Sequence, residues 1–98
     1  MLFVIHYASK HDTEELEKRG VDIFKAWTPP EGFEFKAHYT HADGYGGTAI
    51  VEAGSAALLY EAIIGFHAFN EFEVHPAIDI TEAIPISDKV TAWRESVE

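Results

Sequence analysis

Hydrophobic and polar positions along the chain alternate between two periods. Leu2-Phe3-Val4-Ile5-His6-Tyr7 is an apolar run broken once, at His6. Its β-branched and aromatic content predicts a central strand buried on both faces. Phe33, Phe35, Ala37 and Tyr39 alternate with Glu34, Lys36, His38 and Thr40, the period of two that marks a half-buried strand. Asp43-Gly44 is a turn signal. After it a strand from about Gly47 to Ala53 sets Ala49 and Val51 against Thr48, Ile50 and Glu52. Alternation returns between Phe69 and Ile80, where Phe72, Val74 and Pro76 oppose Glu71, Glu73 and His75. This stretch predicts the last strand.

Elsewhere the spacing is helical. Leu16, Gly20, Ile23, Phe24 and Trp27 form one apolar stripe. Asp12 suits its N-cap, with Glu15 completing a capping box, and Pro29-Pro30 stops it. Ser55 caps a second helix through Leu59 and Ile63, with Gly65 as the residue after its end. Asp79 and Glu82 fit a further capping box. It opens a short turn that Pro85 ends, and Ser87 starts a last amphipathic segment with Val90, Trp93 and Val97.

The order β-α-β-β-α-β plus a helical tail is the ferredoxin-like, split-βαβ pattern of an α+β fold. Right-handed crossovers give an antiparallel sheet in order 4-1-3-2 with both helices on one face. At 98 residues the chain is a single domain over 1–98 with a thin core. The other sheet face is expected to carry Val4, His6, Lys36, His38, Thr48, Ile50, Glu52, Glu71, Glu73 and His75. It is too apolar at its centre for water and too polar for a dry core. Two copies packed sheet to sheet would bury Val4 and Ile50, so a homodimeric barrel is expected.

Three stretches carry a resemblance. They are Phe24-Lys25-Ala26-Trp27-Thr28-Pro29-Pro30; Asp43-Gly44-Tyr45-Gly46-Gly47 with Ala49-Ile50-Val51-Glu52; and Phe69-Asn70-Glu71-Phe72-Glu73-Val74-His75-Pro76 running into Asp79-Ile80-Thr81-Glu82-Ala83. On these the chain is similar to a bacterial family known only as a domain of unknown function. Its element order resembles the dimeric α+β barrel superfamily, which includes antibiotic-biosynthesis-type monooxygenases, muconolactone isomerase-like proteins and stress-responsive barrel proteins. The resemblance implies the fold and the barrel. It implies no reaction, because fold alone does not carry one.

Charge narrows the partners. Seventeen acidic residues against seven basic leave a formal net charge of −10. Such a surface opposes nucleic acid and anionic membranes, both of which need clustered Lys and Arg. With no cysteine, thiolate catalysis, disulfides and cysteine-based zinc sites drop out. The N-terminal residues carry no basic leader, and no apolar run approaches the roughly 20 residues of a membrane span. The expected compartment is the cytoplasm.

Six histidines invite a metal reading with His6, His38, His75 and Glu73 as ligands. Expected strand positions oppose it, since His6 and His38 fall roughly 9–10 Å apart, and no H-x-x-x-H spacing exists. No metal or cofactor is assigned. A second reading pairs His6 as proton acceptor with Glu73 as its orienting carboxylate. His38, Tyr39, Thr48 and Glu71 would then contact a ligand. Against it stands the plainer reading of a satisfied histidine beside solvated glutamates. Trp27, Tyr39, Tyr60, Phe66, Phe69 and Trp93 read first as core. The Asp43–Gly47 loop lacks phosphate-cradle spacing, and no G-x-S-x-G exists. The expected function is binding, with conversion left open, of a small organic molecule in the barrel cavity. The alternatives are a non-enzymatic oligomeric interaction or regulatory module, and a His/Glu metal-binding protein.

Overall fold

A computed structural model of the chain describes residues 1–10 and 13–98. Its elements are β1 (Leu2–Ser9), α1 (Glu14–Ala26), β2 (Phe33–Thr40), β3 (Gly46–Ala53), α2 (Ala56–Ile63), a 3₁₀ turn (Ile64–Phe66), β4 (Asn70–Ala77) and α3 (Ile80–Ser96). The four strands form one antiparallel sheet in the order β2-β3-β1-β4. This is the expected ferredoxin-like α+β topology with a C-terminal helix.

Side-chain caps start each helix. The Thr13 hydroxyl accepts from the Leu16 amide and the Ser55 hydroxyl from the Leu58 amide. Thr13 therefore takes the cap expected of Asp12, which lies outside the described residues. Asp79 accepts from both the amide and the hydroxyl of Thr81, and these bonds hold its carboxyl below the usual range. Gly65 does not end α2 in a left-handed conformation; the chain tightens into the 3₁₀ turn instead. Pro85 does not end a helix either. α3 runs through it, with the Thr81 carbonyl losing the bond that an N–H at position 85 would have given and crowded by the ring.

Residues opposite one another in antiparallel strands share a face, so the register sorts the sheet. Phe3, Ile5, Ala49 and Val51 point to the helix side and are buried. They pack with Phe33 of β2 and with Leu59 and Ala62 of α2. The open face carries two informative rows. Ala37, Ile50, Val4 and His75 make one; Tyr39, Thr48, His6 and Glu73 make the next.

One irregularity rearranges the expected faces. Phe35 pairs with Val51, but Ala37 pairs with Ile50, so a β-bulge takes up Lys36. A bulge inserts one residue, which reverses the in–out phase of everything beyond it. His38 therefore turns to the helix side, beside Ala49, and Tyr39 turns to the open face, where it is 66% exposed. Strict alternation placed them the other way round.

The helices differ in how they meet the sheet. α2 buries Leu59 and Ala62, whereas α1 buries no residue. α3 also buries none, and the chain extends 62 Å along its longest axis against 30 and 18 Å along the others. No helix among the described residues is long and apolar enough to cross a membrane.

Candidate functional site

The gap left by α1 is a cavity of about 510 Å³ between that helix and the sheet. That volume lies in the range of small-molecule pockets. Its walls are aromatic. Phe24 and Trp27 come from α1 and its C-cap, Phe33 and Phe35 from β2, Phe66 from the 3₁₀ turn and Phe72 from β4. Trp27 meets Phe66 edge to face at a centroid distance of 5.2 Å, and Phe33 meets Phe35 likewise. Such edge-to-face packing suits ring quadrupoles. It also holds the walls open, because each ring is propped by another ring.

Polar groups gather toward one end. Tyr7 and Ser9 close β1, His38 and Thr40 close β2, and Asn70 begins β4; all five line the cavity. At their centre the Tyr7 hydroxyl and the His38 Nε2 are hydrogen-bonded at 2.7 Å. The His38 ring lies flat on Phe35, centroids 4.8 Å apart and planes 7° apart. Phe24 contacts it edge-on at 5.9 Å. Desolvation lowers the His38 pKa and raises that of Tyr7, so near neutral pH both groups are uncharged. The pair thus shares one proton, and the His38 Nδ1 and the phenol oxygen keep further hydrogen-bonding capacity. Among the described residues Glu17 is the one carboxylate on the wall, and no Lys or Arg lines it.

The sequence permits this pair through Gly47. In the register Gly47 lies opposite both Tyr7 and Thr40. A Cβ there would fall on the Tyr7 phenol and on the Tyr39 carbonyl oxygen. With hydrogen in that place, the phenol lies over β3 and reaches His38 two strands away.

The expected residues His6 and Glu73 are register neighbours on the open face, but their side chains bond elsewhere. His6 Nδ1 contacts the Thr48 hydroxyl at 3.0 Å, and His41 Nε2 contacts the same oxygen at 2.8 Å. One hydroxyl holds one proton, so at most one imidazole accepts from it and at least one donates to it. Glu73 instead takes His75 at 2.9 Å. The His75 ring lies 6.1 Å from that of His6, and Val4 faces His75 across the ladder. Glu71 sits one row further along, opposite Ala8. Among the described residues no three His, Asp or Glu side chains converge as a metal-ligand group.

Of the expected aromatics, Trp27, Phe66 and Phe69 line the helix-side cavity. Tyr39, Tyr60 and Trp93 are exposed instead. Tyr7 was missed as a site residue. Its signal was available in Gly46-Gly47, small residues in mid-sheet that imply something large crossing them.

Residues 1–91 match the family described as a domain of unknown function, DUF3303. The chain belongs to this family. Among curated proteins none matches it. The DUF3303 match covers every strand, α1, α2 and most of α3. It therefore includes both the cavity and the open sheet face, and brings no activity to either.

Proposed function

We propose that the protein binds a small, largely apolar organic molecule in the helix-side cavity, and that the Tyr7–His38 pair supplies the hydrogen bond that orients it. One observation carries this reading. A space of about 510 Å³, walled by rings, presents its polar side chains at one end, centred on a hydrogen-bonded and partly desolvated pair. Apolar walls with a few convergent polar groups are the usual form of a ligand site. Neutral His38 next to a phenol is also competent to exchange a proton with a bound ligand. Conversion is thus an extension of the same site, with His38 the proton acceptor.

Trp27 in the wall makes the test direct. Titration with a panel of uncharged aromatic compounds should change its emission saturably and raise the melting temperature. His38→Ala should weaken binding by about tenfold, the scale of one lost hydrogen bond of roughly 1.4 kcal/mol. A panel that leaves both signals unmoved overturns the proposal.

The proposal includes a homodimer. The open-face row Ala37, Ile50, Val4 is apolar, and among the described residues α3, which buries nothing, leaves it uncovered. A one-layer sheet leaves such a face to be covered by another chain. The open-face set His6, Glu73, Glu71, Thr48 and Tyr39 would then lie at or near the subunit boundary.

A further inference from the structure

α3 carries Ile86, Val90 and Trp93 at spacings of four and three. At about 100° per residue these three make one narrow stripe, and Val97, the extended C-cap, follows it. The four are 55%, 46%, 67% and 60% exposed. Lys89 and Arg94 flank the stripe, about 70° to either side of its centre, while Asp88 and Glu95 lie on the opposite side of the helix. Two such stripes laid together would bring cations against cations. The stripe suits an apolar surface with an acidic rim.

The open sheet face is such a surface. Ala37, Ile50 and Val4 form its centre. Glu34 and Glu52 stand in the row to one side, and Glu73 and Glu71 in the rows to the other. The cations near it among the described residues, Lys36 and the Met1 amine, are each already within 3.5 Å of one of those acids. We propose that in the homodimer each α3 lies across the open sheet face of the other copy. The apolar stripe covers Val4 and Ile50, and Lys89 and Arg94 reach the glutamate rows. This rests on the homodimer reading above and names what makes the contact.

Geometry and area agree. Only Ile78 and Asp79 separate β4 from α3, and α3 leaves its own open face uncovered. Seventeen residues of helix reach about 26 Å, enough to cross four strands at about 4.8 Å each. Trp93 with three aliphatic side chains offers roughly 500 Å² of helix surface. With a like area on the sheet and a two-fold repeat, the total is about 2,000 Å², within the range of stable interfaces.

Sedimentation at micromolar concentration tests this on the full chain. The wild type should be a dimer. Val90→Lys with Trp93→Glu changes only the stripe. Since α3 buries nothing, the domain should keep its circular dichroism and its Trp27 response. Its dimer dissociation constant should rise at least about 30-fold, as for loss of an interface hot spot. Ile50→Lys should do the same from the sheet side. Mixed in equal amounts, the two variants should re-form dimers, because one sound helix then meets one sound sheet. A monomeric wild type overturns the homodimer and this contact with it. A helix variant that stays dimeric while Ile50→Lys dissociates overturns only the α3 contact, in favour of sheet-to-sheet stacking. A mixture that stays monomeric also overturns the exchange.

Discussion

The two faces of this sheet use the same residue types to opposite ends. On the helix side His38 stacks on Phe35 and shares a hydrogen bond with Tyr7, its accessible surface opening on an aromatic cavity. On the open side His6 and His41 share the Thr48 hydroxyl, and His75 holds Glu73. The second set is more numerous and more charged, and it looks more like chemistry in a sequence. Yet apart from the part-buried His6–Thr48 contact it is exposed, and a hydrogen bond in water gains little. Surroundings decide what an imidazole can do: a cavity that excludes part of the solvent strengthens every polar contact in it. The comparison ranks the pair that opens on the aromatic cavity above the contacts of the open face, although the Tyr7–His38 bond is itself exposed.

Truncation tests the comparison most strongly. Phe3→Ala removes a ring that is 2% exposed in the helix-side core and should cost about 3–5 kcal/mol in urea unfolding. Val4→Ala, its neighbour on the open face, should cost about 1 kcal/mol in a monomer, because half-buried methyl groups transfer less area. Repeating both above and below the dimer dissociation constant sharpens the point. If the Val4→Ala cost does not grow with protein concentration, nothing covers the open face.

Gly47→Ala comes next. The new methyl group must displace the Tyr7 phenol or the Tyr39 carbonyl, and overpacking of this kind costs about 1–3 kcal/mol. It should also separate Tyr7 from His38 and so weaken ligand binding. Gly65→Ala is the control. A Cβ on Gly65 meets nothing within 4 Å and the residue does not line the cavity, so the change should move stability by less than about 0.5 kcal/mol and leave binding intact. Equal binding losses from the two would refute the role given to Gly47.

The sequence made the topology legible because it rests on robust signals. Periods of two and 3.6 separate strands from helices, and right-handed crossovers leave one strand order. The site was less legible for a local reason. A single bulge at Lys36 moved His38 and Tyr39 to opposite faces, and the E-F-K-A-H-Y pattern alternates the same way with or without it. The reach of Tyr7 over Gly47 depends on register between strands far apart in sequence. The pairing of His6 with Glu73 was legible as adjacency. What competes for those side chains, Thr48 and His75, was not, since rotamer choice among exposed partners leaves no pattern in the chain.

Acid should act on the helix side more gently than substitution. Desolvation lowers the His38 pKa on folding, so the folded protein binds fewer protons there than the unfolded chain. The stability this histidine contributes is complete above its unfolded value of about 6.5. It is lost as pH falls from there through the lower folded value. Unfolding curves between pH 7.5 and 5 should show that loss, and His38→Gln should remove part of the slope. Ligand binding should weaken over the same interval. An unchanged slope in His38→Gln would mean that folding does not desolvate this ring.

The smallest effect belongs to the open-face ion pair. His75 and Glu73 are 2.9 Å apart, but their side chains are 54% and 66% exposed. Exposed pairs of this kind contribute about 0–1 kcal/mol, and this one is an ion pair only while His75 is protonated. Glu73→Gln should therefore change monomer stability by less than about 0.5 kcal/mol at pH 7.5. Its effect on the dimer should be larger and salt-dependent, because Glu73 stands in the acidic row assigned to Lys89 and Arg94. Screening at high ionic strength weakens such exposed pairs, so wild type and Glu73→Gln should converge in dissociation constant as salt is added. If they differ equally at every salt concentration, Glu73 acts through packing and not through charge.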